Sequence, residues 1–159
     1  MSRGSIKAYE SIAFRALSLR EQTLILRARS VKKNAQAPYS GYRVGAAVTS
    51  KRSHIVVGCN VERVTHTQTT HAEQAAIDAL VAHEGPIKIS AIAISCTPQS
   101  KSKQKVPAWP CGHCLQIIWE NCDGDSSVRI LTDIGDRTVA ITTIGVLLPM
   151  PFSPRRFLT

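Results

Sequence analysis

The apolar positions along the chain change period several times, and each change marks an element. Ser18-Leu19-Arg20-Glu21 has the form of a capping box, and Leu24, Ala28, Val31 and Ala35 recur behind it at helical spacing. The spacing predicts a helix running to about Ala35. Pro38 ends it, because its ring removes a backbone donor and disfavours helix in the residue before. Residues 42–49 and 54–60 are valine-rich, and Ser50-Lys51-Arg52-Ser53 supplies polar turn chemistry between them, which predicts a hairpin. Gly45 and Gly58 weaken those strands and point to close packing of another element. From Thr70 the pattern becomes helical again through Ala72, Ala75, Ala76, Ala79 and Leu80, with Gly85-Pro86 as the stop. Residues 87–95 are apolar on both alternating sets after Ser90, as in a strand covered on both faces. A polar stretch without periodicity, residues 97–105, precedes a helix over 111–121 with Leu115, Ile118 and Trp119 on one side. Residues 128–131 and 138–141 read as two short strands, and 144–148 as a helical turn before Pro149.

This order implies an α/β layered domain, a mixed five-stranded sheet with helices on both faces. A chain of 159 residues forms one core, and no repeat or second domain is visible. Residues 1–17 are read as a basic N-terminal extension, with the character of an ordinary helix despite its transit-like basic bias, and residues 18–159 as a single catalytic domain. At 43% apolar, with short apolar runs, the sequence is that of a soluble protein with no membrane span.

The net charge of +9 raises the question of a nucleic-acid partner. The positive residues are scattered over the first helices, a Lys101/Lys103/Lys105 loop and Arg155-Arg156, with no interleaved aromatics to stack bases. A solvated surface is therefore the expected reading, and nucleic acid is not the expected partner. Five cysteines, an odd number, without a secretory signal argue against a disulfide framework and for a reducing compartment, hence a cytoplasmic location. Cys59, Cys96 and Cys122 are expected to be buried small apolar residues.

The chemistry concentrates in His71-Ala72-Glu73 and Pro110-Cys111-Gly112-His113-Cys114, both at predicted helix N-termini. One imidazole and two thiolates are three zinc ligands and leave a fourth, open position, which marks catalysis rather than structure. Two thiolates and a neutral imidazole also balance a divalent ion. Glu73 is placed to carry protons as a general acid and base. The combination resembles the signature of zinc deaminases. Helix dipole and free backbone amides at both sites are expected to favour the thiolates. A thioredoxin-type redox reading of Trp109-Pro110-Cys111-Gly112-His113-Cys114 leaves His71 and Glu73 unexplained, and a structural zinc site lacks a fourth ligand. His54, His66, His83 and His113 are read as surface residues or as neighbours of the ligands.

These segments resemble the cytidine deaminase family, together with Ala37-Pro38-Tyr39-Ser40, Val44-Gly45-Ala46-Ala47, Gly58-Cys59-Asn60-Val61-Glu62, Gln116 and Leu147-Leu148-Pro149 with Phe152. The similarity reaches from about Ala37 to Pro154 and implies a cytidine-deaminase-like fold. It also implies hydrolytic deamination of cytidine and deoxycytidine to uridine and deoxyuridine, as in pyrimidine salvage. By resemblance, His71, Cys111 and Cys114 hold zinc and Glu73 is catalytic. Asn60, Glu62, Tyr42 and Ala72 are the implied substrate-binding residues, and Phe152 reaches a neighbouring subunit's site. A carboxylate at Glu62 suits sugar hydroxyls and repels a phosphate, which favours a free nucleoside over a polynucleotide. Short members of the family imply a homotetramer. The chain departs from the family pattern at Arg63, Val64, Thr65, His66 and Leu115, and in the long His71-to-Cys111 gap, whose excess falls in the Lys101 to Ala108 loop. Those departures keep open a modified or antibiotic cytosine nucleoside as substrate. An editing deaminase acting on nucleic acid, or a non-catalytic oligomeric module, is the remaining alternative.

Overall fold

The computed structural model describes residues 8–52, 54–97, 106–135 and 137–152. The basic side chains of Arg3, Lys7, Lys101, Lys103, Lys105, Arg155 and Arg156 lie outside the described residues, as do most of the Lys101 to Ala108 loop and Pro154. The elements run β1 (Glu10–Ala13), α1 (Leu19–Val31), β2 (Val44–Ser50), β3 (Ile55–Cys59), α2 (Ala72–Glu84), β4 (Ile89–Cys96), α3 (Gly112–Asn121), β5 (Arg129–Gly135), β6 (Thr138–Thr143) and α4 (Ile144–Leu147).

The sheet has six strands in the order β1-β6-β5-β4-β2-β3, not five. Only β4 and β5 pair in parallel, with α3 as their crossover; the other neighbours are antiparallel, so the sheet is mixed. The sixth strand is β1, in the segment expected to be helical. Glu10 to Ala13 instead pair with Ile141 to Thr138 on the open edge of β6, and Phe14 N–H donates to the Arg137 carbonyl at 2.7 Å. An unpaired edge offers a full row of backbone partners, which outweighs a weak local helical preference.

Each face of the sheet carries its own core. Ala46, Val48, Ile92, Ile94 and Ile130 meet Ala72, Ala76, Ile77 and Leu80 of α2 and Leu115 and Ile118 of α3. On the other face, Ala47, Ala93, Leu131 and Val139 meet Leu24, Ile25 and Ala28 of α1. Successive strand residues thus feed opposite cores, which explains why residues 87–95 lack polar alternation. The α1 start is a true capping box, with the Ser18 hydroxyl accepting from Glu21 N–H and the Glu21 carboxylate from Ser18 N–H. The α-helix ends at Val31 and a single 3-10 turn, Lys32–Asn34, carries the chain toward Pro38.

The two strand glycines set how close the helices lie. A methyl on Gly58 would overlap the Ala76 backbone nitrogen and come to 2.7 Å from the Ala72 carbonyl, and one on Gly45 would overlap the Ala28 carbonyl. Glycine at 58 therefore lets the first turns of α2 rest directly on β3. A polar brace ties α1 to the carboxyl ends of β4 and β5. Arg29 grips Asp133 through two hydrogen bonds of 2.8 and 2.7 Å, Ser95 hydroxyl donates to Asp133 at 2.9 Å, and Lys32 donates to the Ser95 hydroxyl and the Cys96 carbonyl. Burial raises the Asp133 pKa, but the hydrogen bonds from Arg29 and Ser95 outweigh it and hold the group below the usual carboxylate range.

Gly58→Ala is expected to force α2 off β3 at a cost of about 1–3 kcal/mol. An unchanged midpoint in urea unfolding would show that the helix yields freely. Asp133→Asn is expected to cost about 1.5–3 kcal/mol at pH 7, the range for hydrogen bonds to a charged group. Because the folded pKa is depressed, the wild-type advantage is complete above the unfolded value near 3.9 and disappears as pH falls through the folded one. Unfolding curves at pH 7 and at about pH 3 measure this, and an equal deficit at both would refute the ion-pair account.

Candidate metal centre and substrate cavity

The two chemical segments meet where the chain has few other options. Beyond β3 the backbone of Asn60 to Glu62 is pinned on both sides. Gln36 N–H donates to the Asn60 carbonyl and Glu62 N–H to the Gln36 carbonyl, while Val61 exchanges hydrogen bonds of 2.9 and 3.1 Å with Thr70. That second ladder delivers His71 to the α2 N-cap position, from which its carbonyl accepts Ala75 N–H at 2.9 Å. Cys111 is likewise the N-cap of α3, and its carbonyl accepts Leu115 N–H at 2.9 Å. Both residues stand just before the first turn, where extended dihedrals swing the side chain away from the helix body; Glu73 and Cys114 lie within it.

His71 Nδ1 is 3.4 Å from Cys111 Sγ and 3.3 Å from Cys114 Sγ, and the three ligand atoms lie within 4.8 Å of one another. Zinc bonds of about 2.1 Å to nitrogen and 2.3 Å to sulfur at tetrahedral angles place nitrogen and sulfur roughly 3.6 Å apart, so the spacing fits the ion. Among the described residues this is the single group of histidine, cysteine and acidic side chains so arranged. His113 sits exposed beside it, its ring 5.7 Å from that of His71, and is not a fourth ligand.

The electrostatics also call for a cation. Burial, then the Glu73 carboxylate and Cys111, push the Cys114 thiol well above its ordinary pKa. A divalent ion supplies the missing positive charge.

A cavity of about 240 Å³ adjoins this cluster, of a size for one small molecule. His71, Ala72, Glu73 and Cys111 line it, with Tyr42, Val44, Asn60, Thr69, Ile94, Cys96, Ala108 and Trp109. Glu73 is 7% exposed, so its carboxylate is sheltered yet faces the cavity. The cavity lies at the carboxyl end of β4, where Val44 of antiparallel β2 stands beside Cys96, and where helices begin after β3 and β4. Ligand sites in parallel and mixed sheets favour this edge.

Of the residues expected to bind substrate, Asn60, Tyr42 and Ala72 line the cavity. Asn60 Oδ1 accepts from Val44 N–H at 2.8 Å and its amide donates to the Tyr42 carbonyl at 2.9 Å. Glu62 is buried but not among the lining residues. Its carboxylate accepts from the N–H groups of Tyr39 and Ser40 and the Ser40 hydroxyl, and these hydrogen bonds hold its pKa below the usual range. Gln116 makes a paired contact with the Phe152 backbone, donating to its carbonyl and accepting from its N–H. Phe152 itself is exposed.

The cysteine expectation holds for Cys122, which is buried, whereas Cys59 and Cys96 are half-buried and Cys96 faces the cavity. Cys96 and Tyr42 share this wall, and burial raises the pKa of both groups. All five cysteines are free. Thr69, Ala108 and Trp109 were also invisible as cavity residues. Trp109 stands two positions before Cys111, the one sequence signal available for it.

Residues 19–128 match the model of the cytidine and deoxycytidylate deaminase zinc-binding region. The chain belongs to that family. A cytidine deaminase of Sporosarcina psychrophila is 33% identical over 132 residues, covering 83% of this chain and 90% of the relative. One of Mycobacterium tuberculosis is 35% identical over 118 residues, 74% of this chain and 78% of the relative. The crystal structure of cytidine deaminase from Burkholderia pseudomallei superposes with a TM-score of 0.71 at 28% identity, covering 86% of this chain and all of that one. The deaminase family's zinc-binding character and the His71, Cys111 and Cys114 group agree.

Titrating zinc into the metal-free protein at pH 7 is expected to release protons, because the Cys114 thiol, raised by burial, ionises on binding, and to saturate at one ion per chain. Calorimetry in buffers of differing ionisation enthalpy reads the release. Cys114→Ser is expected to lose tight zinc binding; retention of one tightly held ion would remove Cys114 from the ligand set.

Proposed function

We propose that this protein is a zinc-dependent aminohydrolase that converts cytidine and deoxycytidine to uridine and deoxyuridine. The observation that carries the reading is the sheltered Glu73 carboxylate facing a small cavity whose wall also holds His71 and Cys111. His71, Cys111 and Cys114 are the proposed zinc ligands. Bound there, zinc lowers the pKa of water toward neutrality, which makes hydroxide available at physiological pH.

The remaining work falls to the chain's own groups. Glu73 accepts a proton from the attacking water and passes it to the pyrimidine ring nitrogen N3 as oxygen bonds to C4. It then takes the second proton of that oxygen and delivers it to the exocyclic amine, so that the C4–N bond breaks and ammonia leaves. One water is consumed and one ammonia released. A carboxylate can make both transfers because it accepts a proton when ionised and donates it once protonated, and Glu73 lines the same cavity as His71 and Cys111.

Asn60, Tyr42 and Ala72 are the proposed nucleoside contacts. For Glu62 the proposal is narrower: its carboxylate holds the Tyr39-Ser40 backbone beside the cavity and offers sugar hydroxyls only its remaining acceptor capacity. The cavity volume and the buried acidic groups Glu62 and Glu73 favour a free nucleoside over a polynucleotide. A homotetramer working in the cytoplasm, in pyrimidine salvage, completes the proposal. Exposed Leu19, Leu26, Val146, Met150 and Phe152 offer apolar surface for assembly, and no helix among the described residues is long and apolar enough to cross a membrane.

Zinc-loaded protein incubated with cytidine is expected to form uridine, followed by chromatography, and Glu73→Ala to lower kcat by about 10²–10⁴-fold or more. Wild-type turnover no greater than that of the variant would refute the reading.

A further inference from the structure

The cavity wall is completed from an unexpected direction. Ala108 and Trp109 belong to the short stretch between the polar loop and α3, and both line the cavity beside Cys111. Among the described residues, Thr132 hydroxyl donates to the Ala108 carbonyl at 3.4 Å, at the long limit of a hydrogen bond, and Trp109 packs, partly buried, against the core that α2 and α3 share. The Trp109 indole has a second neighbour. Tyr9, one residue before β1, meets it in an edge-to-face contact with ring centroids 5.5 Å apart and planes at 62°. Tyr9 is in turn fixed by its flanks, since Thr142 hydroxyl donates to the Ala8 carbonyl at 2.7 Å and Glu10 pairs with Ile141. The N-terminal strand thus runs along β6 and ends its lever arm on a residue of the substrate cavity. Residues 8–13 precede the region matched by the family model, which begins at residue 19.

We propose that Trp109 is a nucleoside-contacting wall of the cavity and that Tyr9 is its positioning residue, so that the N-terminal strand belongs to the substrate site. The inference rests on the nucleoside reading above. An indole beside the ligand Cys111 presents a flat apolar surface to a planar pyrimidine, and such surfaces bind through area and ring quadrupole. Its usefulness depends on orientation. The core holds the indole from one side, and the Tyr9 ring packed edge-to-face against it narrows the orientations left, lowering the ordering cost of binding. Loss of Tyr9 then weakens substrate binding while the proton-transferring group, Glu73, stays where it was.

The test uses the zinc-loaded full chain with cytidine as probe, comparing wild type with Tyr9→Ala, Tyr9→Phe, Trp109→Ala and the double alanine variant. The energy of one aromatic pair corresponds to a rise in KM of about two- to twelvefold for Tyr9→Ala, with kcat held within about twofold. Tyr9→Phe, which keeps the ring, is expected to restore KM. The double variant is expected to match Trp109→Ala, because Tyr9 acts only through the indole. A structural role for Tyr9 would lower the melting temperature and the active fraction, hence kcat, and leave KM unchanged; that result overturns the proposal, as does an unaltered KM in Trp109→Ala. Tyr9→Leu serves where the alanine variant does not fold, since it preserves bulk beside β6 and removes the ring. Indole emission in a Trp119→Phe background reports Trp109 without turnover: Tyr9→Ala is expected to shift it and cytidine to quench it. If the wild-type protein turns over no cytidine, the nucleoside reading fails and the substrate role fails with it. An emission shift on loss of Tyr9 would then locate the failure in the substrate rather than in the Tyr9–Trp109 contact.

Discussion

Two helices must begin at one point in space for this chain to have a site at all. His71 and Cys111 are far apart in sequence, yet the nitrogen of one lies 3.4 Å from the sulfur of the other. The coincidence follows from the parallel pairing of β4 with β5, which makes α3 a crossover that starts at the carboxyl end of β4, and from the antiparallel β2-β3 hairpin, which brings the exit of β3 to the same edge. Gly58 then lowers α2 onto β3, and the Val61-Thr70 ladder sets its first residue. Helix N-termini at such an edge leave amide groups free, so the location is fit for polar chemistry before any ligand is specified.

Charge makes the site conditional. Cys114 is buried beside Glu73 and Cys111, so each negative charge raises the cost of the next. A helix N-terminus offers about half a positive charge, which does not offset two thiolates and a carboxylate. Binding of a divalent ion by these thiols is therefore coupled to their ionisation, and the ion would offset the negative charge gathered there. The Arg29-Asp133-Ser95 brace anchors the ends of β4 and β5, and with them Cys96 on the cavity wall.

Periodicity made most of the layers legible: α1 with its capping box, the glycine-containing hairpin, the doubly buried β4 and the starts of α2 and α3 all follow from spacing and stop signals. The ligand cluster was legible for the same reason, since short-range spacing of ligating residues at a helix start is local information. What escaped was non-local. Strand β1 forms because β6 has a free edge, which nothing within residues 10–13 announces. Cys96 looked like an ordinary apolar strand residue, and only the β2-β4 register turns it toward Tyr42. Trp109 enters the cavity because α3 begins where it does, and its packing partner lies a hundred residues upstream in the chain.

The Asn60-Val61-Glu62 stretch shows how a correctly placed pattern can carry an incomplete meaning. Residues two apart on an extended segment share a side, and Asn60 and Glu62 do. Both side chains grip the 39–44 stretch, Glu62 at the Tyr39 and Ser40 amides and Asn60 at Val44 and the Tyr42 carbonyl. Buried carboxylate and amide groups persist only with their hydrogen bonds satisfied, and here the partners are backbone groups of the loop that bears Tyr42. The pair therefore orders the loop that forms one wall of the cavity, Asn60 from the wall itself and Glu62 from behind it. A substitution at Glu62 removes three hydrogen bonds from that loop, so its first effect falls on the order of the wall that Tyr42 helps to form.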